Sequence, residues 1–236
     1  MKTKTPSGKI ARIALILMAG ILLVSNAVFA QQESRNVYDF TEVSYALPGR
    51  LEITQGNKEQ LILIGDKDDL ERITTKTEGN ELKIYCKENN VRLGDVVVKL
   101  TVTDLKELSV AGSADVEFMN EFSTHKFEVE LAGSGNIECK TIKVESLELS
   151  MAGSGDMIFG GKVNDGLEIE IAGSGEIDCS NLEAKNVEVE IAGSGEAKVW
   201  ATEKLDSEIM GSGDIYYKGN PRVESSVAGS GKTHTL

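Results

Sequence analysis

The sequence is short of the side chains on which most catalytic and metal sites depend. It has two histidines, one tryptophan and three cysteines in 236 residues, and aromatic residues make up 5%. His125 and His234 alone offer little material for acid–base catalysis or a metal site. Sugar-binding clefts usually present aromatic platforms, and the one candidate platform here is Trp200, beside Tyr216 and Tyr217. These shortages favour a binding or structural protein over an enzyme.

Positive charge is also scarce. The chain has 25 basic and 38 acidic residues, a net charge of −13. It has no basic patch that could follow a nucleic-acid backbone, and no polybasic stretch that would attract anionic lipid. We therefore expect no nucleic-acid partner, and the composition favours cations or cationic surfaces instead.

Long hydrophobic runs are confined to the N-terminus. Four basic residues precede an apolar run of twelve, Ile13 to Val24, and the small residues Val28 and Ala30 follow it. This order predicts a secretory signal peptide, residues 1–30, whereas an uncleaved spanning helix would need about 20 apolar residues. The mature chain, residues 31–236, would carry 21 basic and 38 acidic residues, a net charge of −17, and no transmembrane segment. We expect it in the periplasm, on the outer cell surface or secreted.

One short element recurs along the second half of the chain. Seven copies of Ala/Met-Gly-Ser-Gly, the first with alanine as its last residue, follow one another at intervals of 21, 20, 20, 20, 18 and 18 residues. Their first glycines are Gly112, Gly133, Gly153, Gly173, Gly193, Gly211 and Gly229. A unit this small cannot bury its apolar face alone, so the repeat predicts units that stack on one another.

The residues before each glycine alternate between apolar and polar, mostly acidic. The stretch Leu167-Glu168-Ile169-Glu170-Ile171 is one example. Period-two alternation indicates a half-buried strand with its carboxylates outward. Two further short apolar stretches follow each glycine, and helical periodicity of any length is missing from residues 31–236. The pattern predicts an all-β fold, a right-handed parallel β-helix of about 20-residue coils over residues 105–236.

The glycines and serines of the repeat are interpreted as the corners of the coils. A tight corner between strands needs a positive φ, which glycine adopts without steric cost. The serine hydroxyls are predicted to form a ladder, each donating to the next coil. The residues assigned this structural role are Gly133, Ser134, Gly135, Gly153, Ser154, Gly155, Gly173, Ser174, Gly175, Gly193, Ser194 and Gly195. The first copy has Ala114 in place of its second glycine, so its corner is expected to differ.

The same register places the cysteines. Cys139 and Cys179 lie six residues after the first glycine of their copies, in an inward-facing column with Phe159 between them. Two coils would separate their backbones by roughly 10 Å, whereas a disulfide needs Cα atoms within about 7 Å. We therefore predict no bond between them, and we expect Cys86, outside the repeat, to be free as well.

Residues 31–104 are rich in predicted strands but lack the glycine repeat. The predicted strands are 50–54, 61–64, 81–85 and 96–102. Gly-Asn and Gly-Asp pairs supply turns between them, and residues 68–73 are predicted to form one helical turn. We expect this region to cap the N-terminal end of the solenoid, where strand edges and an open core would otherwise meet water.

Two files of mainly acidic residues run along the predicted coils. One lies five residues before each first glycine and comprises Glu107, Glu128, Glu148, Glu168, Glu188, Asp206 and Glu224. The other lies three residues after it and comprises Asp115, Asn136, Asp156, Glu176, Glu196 and Asp214. Neighbours about 5 Å apart would repel. Three interpretations follow: a solvated face, a weak Ca²⁺ site, or recognition of a cationic partner. The candidate Ca²⁺ ligands are Asp156, Glu176, Glu196 and Asp214.

With these elements in place, the chain resembles the bacterial family of autotransporter-adhesin head domains called the head GIN domain. The resemblance spans residues 37–236 and rests on the order of two segments, Leu51 to Asn57 and Glu81 to Ile84, followed by serial Gly-Ser-Gly repeats. It implies a right-handed β-helix related to pectin-lyase-like folds, oligomers, and a role in adhesion. The family brings no established catalytic residues to carry over.

These observations predict an exported, non-enzymatic β-helix that serves as a binding or adhesion-type module, with weak Ca²⁺ as its only suggested cofactor. The expected partner is a surface glycan or protein, and the uncapped C-terminal coil is expected to pair with another subunit. Two alternatives stay open. One is a carbohydrate-active β-helix enzyme, a lyase or hydrolase, although carboxylates are too regularly spaced for spacing to select a catalytic pair. The other is a periplasmic structural or sensing domain.

Overall fold

The computed structural model describes residues 31–88 and 92–236, and the predicted signal peptide, residues 1–30, lies outside the described residues. Within them the chain forms eighteen β-strands and one α-helix, α1 (Lys67–Arg72). The strands are β1 (Gln31–Arg35), β2 (Glu42–Ala46), β3 (Gly49–Gln55), β4 (Gln60–Gly65), β5 (Ile73–Glu78), β6 (Glu81–Cys86), β7 (Val97–Val102), β8 (Glu107–Gly112), β9 (Ala114–Phe118), β10 (Phe122–Ser123), β11 (Lys126–Gly133), β12 (Asn136–Gly153), β13 (Asp156–Gly173), β14 (Glu176–Gly193), β15 (Glu196–Gly211), β16 (Asp214–Gly219), β17 (Arg222–Gly229) and β18 (Lys232–Thr235). No helix of this described part is long and apolar enough to cross a membrane.

The repeated region folds as a β-solenoid of about six turns. Each of β12, β13 and β14 runs for 18 residues around one coil. Neighbouring coils pair in parallel and in register, so that Val129 lies beside Leu149 and Leu149 beside Ile169. Because the register keeps equivalent residues side by side, the alternating apolar positions of every coil point to the same interior. The predicted fold, an all-β solenoid with a β-rich N-terminal part, is confirmed.

An apolar core runs along the interior of the column. Buried hydrophobic residues from Val37 to Ile215 form one contiguous cluster. Where the first region meets the repeats, Phe118, Phe122 and Phe127 pack ring against ring with centroid distances of 4.8 to 5.9 Å. Such tilted and edge-on contacts add to the stabilisation that burial provides. Since side chains fill the interior, the surfaces open to contact are the outer faces and the ends of the column.

Residues before the first repeat supply two further coils. β2 and β3 form one coil, and on the repeat side they pair in parallel with β8 and β9. On their other side they pair in parallel with β6 and β7. β2 therefore lies between β6 and β8, although it precedes both in the chain. The chain builds the second coil first, moves outward to build the terminal coil, and then returns to the repeats.

Antiparallel strands and the helix close the N-terminal end. β5 pairs with β6, β4 with β7, and β1 with β4, all antiparallel. The short helix α1 buries Leu70 in this end of the core. The Arg35 guanidinium donates to the carbonyl oxygens of Leu70 and Ile73 at 2.8 and 2.6 Å. A cation beside the last carbonyls of a helix is favourable, so Arg35 ties β1 to α1 and β5.

The C-terminal end is built differently. β17 pairs with β15 and β18 with β16, each along one edge only. Over residues 31–88 and 92–236, no strand pairs with the opposite edges of β17 and β18. All eight residues of β17 are exposed. One end of the solenoid is therefore covered and the other presents free strand edges.

The three cysteines are free thiols. Cys139 lies beside Phe159 of the following coil, and Cys179 lies beside Val199 of the coil after its own. This spacing agrees with the predicted absence of a bond between the two. Burial raises the pKa of the Cys139 thiol to about 12, so it is a core residue rather than a reactive one.

Candidate interaction surfaces

The Gly-Ser-Gly elements lie at corners of the coils, and the two glycines are required for different reasons. Gly153 has a φ of +143°, and a Cβ there would lie 2.0 Å from the carbonyl oxygen of Gly133 in the preceding coil. Gly155 has an ordinary φ, but a Cβ there would lie 2.2 Å from the carbonyl oxygen of Gly135. The same pair of environments recurs at Gly133 and Gly135, Gly173 and Gly175, and Gly193 and Gly195. Only the first glycine of each pair needs its conformational freedom, while both are needed for close stacking.

The corner serines are held through their backbone. The amide of Ser154 donates to the carbonyl of Gly133, and that of Ser174 to Gly153, both at 2.9 Å. Ser134 and Ser194 make the equivalent backbone bonds. The hydroxyls of all four are exposed, and in the described parts of the chain they make no hydrogen bond to protein groups. The predicted hydroxyl ladder is therefore wrong, because the amides form the ladder and the hydroxyls face solvent.

The first acidic file is longer than the sequence indicates. Parallel register places its seven members side by side, from Glu107 to Glu224. Glu42 of β2 and Glu81 of β6 continue the file at its N-terminal end. These two were missed because their strands lack the glycine element and stack out of chain order. The only available signal was the alternation that begins with Glu42 and with Glu81, which matches the strands of the repeat.

A second, shorter row of carboxylates accompanies this file on the same side of the column. Its members are Glu130, Glu170, Glu190 and Glu208. We name the nine-residue file together with this row the acidic face. Lys126 Nζ lies 3.4 Å from Glu148, and Lys204 Nζ lies 2.5 Å from Asp206. Between these pairs, Glu168 and Glu188 take part in no ion pair with any described residue.

The environment of the file raises the pKa of three glutamates, Glu107, Glu128 and Glu168. Burial is the larger cause for each. Neighbouring carboxylates add to it, and for Glu168 these are first Glu148 and Glu188. Desolvation and like charge both disfavour the ionised form. A bound cation would relieve this penalty, as protonation does.

An open groove of about 590 Å³ follows the file between Lys126 and Lys204. It is lined by the file residues Glu148, Glu168, Glu188 and Asp206 and by the small or polar residues Ser146, Gly166 and Asn186. Ligand pockets for small molecules are usually enclosed and largely apolar. This groove is instead open, and Leu147, Leu167 and Val187 add apolar surface to its lining, so it forms a strip of mixed polarity along the column.

The second acidic file is partly neutralised by a lysine. The candidate Ca²⁺ ligands Asp156, Glu176, Glu196 and Asp214 lie side by side, as the repeat predicts. Lys198 Nζ, however, lies 2.6 Å from Glu176 and 2.8 Å from Glu196. Its hydrogen bonds to these two carboxylates raise the pKa of Lys198. An ammonium group thus occupies the space between two candidate ligands, and the described residues contain no cluster of three or more acidic, histidine or cysteine side chains arranged to hold a metal ion.

The half-buried aromatic residues of the last coils lie apart from the glutamate of raised pKa at the middle of the groove, Glu168. The Lys218 ammonium lies 4.4 Å from the centre of the Trp200 ring, and Tyr216 stacks on His234 with centroids 5.0 Å apart. These contacts engage one face of each aromatic ring. Trp200 follows its corner glycine in the coil, whereas Glu168 precedes its own. These residues therefore do not assemble a cleft that holds both a stacking platform and a carboxylic acid of raised pKa.

Sequence comparison relates this arrangement to one family. The family model described as "Putative auto-transporter adhesin, head GIN domain" matches residues 39–221. The matched range includes the two N-terminal coils and all but the last Gly-Ser-Gly element. Among curated proteins, none matches the chain significantly.

Several crystal structures are similar to the whole described column. A putative adhesin from Bacteroides fragilis is 24% identical, with a TM-score of 0.84, and the match covers 88% of this chain and 97% of that one. A putative lipid binding protein from Parabacteroides distasonis is 28% identical, with a TM-score of 0.71 and the same coverage of 88% and 97%. A putative adhesin from Parabacteroides merdae is 21% identical, with a TM-score of 0.67, and the match covers 88% and 96% of the two chains.

Proposed function

Because the chain belongs to the family described as putative auto-transporter adhesin, head GIN domain, we propose that it is a non-enzymatic binding module of the adhesion type. We assign the acidic face as its contact surface. The partner class that fits this surface is an exposed glycan or protein that presents cationic groups at regular intervals. We place the module outside the cytoplasm, since the N-terminal 30 residues have the order of a secretory signal.

One observation carries this assignment. Nine carboxylates, one from each of nine parallel strands, stand side by side along the column, and Glu168 at the middle of the groove has a raised pKa. A regular row of like charges is unfavourable by itself, so its ionised form gains most from an opposing row of cations. Charge complementarity of this kind provides steering and selectivity more than raw affinity.

Within residues 31–88 and 92–236, Trp200 and Glu168 do not share a cleft, which supports a binding role over cleavage of a polysaccharide. The charge of the acidic face bears on lipid binding as well. The Parabacteroides distasonis relative is called a lipid binding protein, but the acidic face would repel anionic headgroups. We therefore assign neither polysaccharide cleavage nor binding of anionic lipid to this face.

The proposal is tested by comparing the two acidic files. Residues 31–236 would be passed over immobilised poly-L-lysine and over chitosan, a polymer of amino sugars, at several salt concentrations. One variant combines Glu148→Gln, Glu168→Gln and Glu188→Gln. The matched control combines Asp156→Asn, Glu176→Gln and Glu196→Gln, which removes the same charge from the other file.

We expect the first variant to lose about tenfold or more in affinity and the control less than about threefold, with binding that weakens as salt rises. Equal losses in both variants would mean that net charge alone drives binding, and the assigned face would be wrong. Failure of the parent protein to bind either polymer would overturn the partner class. Release of shortened chitosan chains would overturn the non-enzymatic assignment.

A further inference from the structure

The C-terminal end of the solenoid is covered by no described strand, and its charge differs from that of the rest of the column. Residues 215–236 contain three basic residues and one acidic residue, whereas residues 31–214 contain 18 basic and 37 acidic residues. Two copies of this chain therefore repel each other along their sides. They can approach at the C-terminal end without that repulsion.

The free edge at this end carries apolar side chains that continue the core. Val223 pairs with the buried Leu205 and Val227 with the buried Ile209, yet Val223 is 37% and Val227 44% exposed. Their strand, β17, is eight residues long and has one unpaired edge among the described strands. An exposed edge with apolar inward residues is a template for pairing with another strand.

The sequence of β17 is complementary to itself in one antiparallel register. Directly opposed residues in an antiparallel pair must point to the same face of the sheet. If Ser225 faces its own copy, Val223 lies opposite Val227 of the partner, and Glu224 lies opposite Ser226. The register centred on Glu224 would instead set two glutamates against each other. The register centred on Ser226 would set each Val227 against Ser225.

Hydroxyl groups at the centre of the strand fit the same register. Ser225 Oγ lies 3.1 Å from Thr233 Oγ1, which lies 3.2 Å from the hydroxyl of the buried Ser207. Hydroxyls both donate and accept, so such a group can bond to an identical copy of itself across a two-fold axis. The valines on either side of it supply the apolar contact.

We propose that the C-terminal end is an interface between two copies of this chain, in which the β17 strands pair antiparallel about a two-fold axis at Ser225. The two columns then meet end to end, with their covered N-terminal ends facing away from each other. A two-fold contact is isologous and closes at a dimer. It goes beyond the proposed binding function, because it concerns the end of the column rather than its acidic face.

Sedimentation of residues 31–236 over a range of concentrations tests the proposal. We expect a dimer that dissociates on dilution. Val227→Lys should remove the dimer, because it places an ammonium group beside Val223 of the partner. Ile158→Lys is the matched control, since Ile158 is 46% exposed on an outer face away from the end. Thermal melting of both variants would show that they remain folded.

The register is tested by cross-linking in a Cys86→Ser background. Ser225→Cys should form a disulfide-linked dimer under mild oxidation, whereas Ser226→Cys should not. A monomer at every concentration, or a dimer that Val227→Lys leaves intact, would overturn the proposal. Assembly that continues beyond a dimer would indicate head-to-tail contact instead. A monomer whose β17 amides exchange slowly would mean that another segment of the same chain covers the edge.

Discussion

The N-terminal region and the repeated region reach the same coil by different means. In the repeats, each corner glycine lies on the one before it, and a Cβ at Gly173 would come within 2.2 Å of a carbonyl oxygen of the preceding coil. At Gly112, the first corner, a Cβ would meet nothing within 4 Å. The repeats therefore stack glycine on glycine at every corner. In the earlier coils one corner, Gly49, is also closely stacked, with a Cβ that would lie 2.5 Å from the carbonyl oxygen of Val96, and antiparallel strands, a helix and Arg35 close the end of the column. Because the same corner recurs in each repeat, each repeat is sensitive to the same change, a side chain in place of a corner glycine.

The two regions also differ in the charges that surround their carboxylates. In the N-terminal hairpin of β5 and β6, Glu78 contacts both Lys76 and Lys83, and hydrogen bonds to these lysines lower the pKa of Glu78. In the repeats, Glu168 lies between other glutamates and its pKa is raised. Stacking identical residues places like charges side by side, whereas a hairpin brings together different residues and can pair opposite charges.

The largest loss of stability that we expect comes from an alanine at a stacked corner glycine, compared with an alanine at the unstacked corner Gly112. Gly173→Ala combines a φ of +136° with overlap against the backbone of Gly153. We expect it to lower the free energy of unfolding by more than about 3 kcal/mol. Gly112→Ala meets only the backbone strain and should lose about 1 to 2 kcal/mol. Urea denaturation of both variants measures the difference, and equal losses would show that stacking clearance is unimportant.

Destabilising the N-terminal end should unfold that end locally and leave the rest of the column folded. Leu70→Ala leaves a cavity where α1 meets the core, and we expect a loss of about 2 to 4 kcal/mol in that region. Because each coil of a solenoid contacts only its neighbours, the loss should stay near the N-terminal end. Hydrogen exchange should then speed up in β4 and β5 while β13 and β14 keep their protection. Uniform acceleration along the chain would mean that the column unfolds as one cooperative unit.

Lys198 provides a smaller test within the repeats. Lys198→Ala removes an ammonium group held by Glu176 and Glu196. We expect a loss of about 1 kcal/mol, the upper end for a partly exposed ion pair. The variant should also gain a Ca²⁺-dependent rise in Tm, since Ca²⁺ favours clustered carboxylates. Lys162→Ala, which breaks a single pair with Glu183, is the control. A parent protein that responds to Ca²⁺ as strongly as the variant would show that Lys198 does not compete for the site.

The smallest effects are those of pH, and they should have opposite signs in the two regions. The raised pKa of Glu168 means that its folded state holds the proton more tightly than the unfolded state. Its contribution is therefore favourable at low pH and is lost as pH rises through the raised value. Glu168→Gln should raise Tm slightly at pH 7 and have no such benefit near pH 4.

Glu78 should behave in the opposite way. Its lowered pKa gives stability that is present at neutral pH and lost as pH falls. Glu78→Gln should therefore lower Tm slightly at pH 7, with a shrinking effect in acid. Melting curves of both variants between pH 4 and pH 7 measure this contrast. Shifts of the same sign would contradict the electrostatic difference between the regions.

Much of the fold could be predicted from local pattern. The strands predicted at residues 50–54, 61–64, 81–85 and 96–102 correspond to β3, β4, β6 and β7, and the helical turn predicted at 68–73 corresponds to α1. The strands β1, β2 and β5 were not predicted. For β2 the alternation Glu42-Val43-Ser44-Tyr45 is short, although Pro48-Gly49 supplies a turn after it. The serine ladder was assigned to the wrong donor, because sequence shows which residues stack but not which of their groups meet.

The sequence by itself determined the coil. A fixed interval between glycine corners, with alternation before each one, leaves few arrangements that bury the apolar face and keep equivalent residues in register. The order of the first coils was decided only in three dimensions, because β6 pairs with β2 through contacts between residues about 40 positions apart. No local pattern encodes such a pairing, which joined Glu81 to the acidic file, while the pairing of β2 with β8 joined Glu42. Among the described strands, the difference between a covered and an unpaired end was likewise set by tertiary structure, since the outer edge of β17 is unpaired only where no other described strand lies on it.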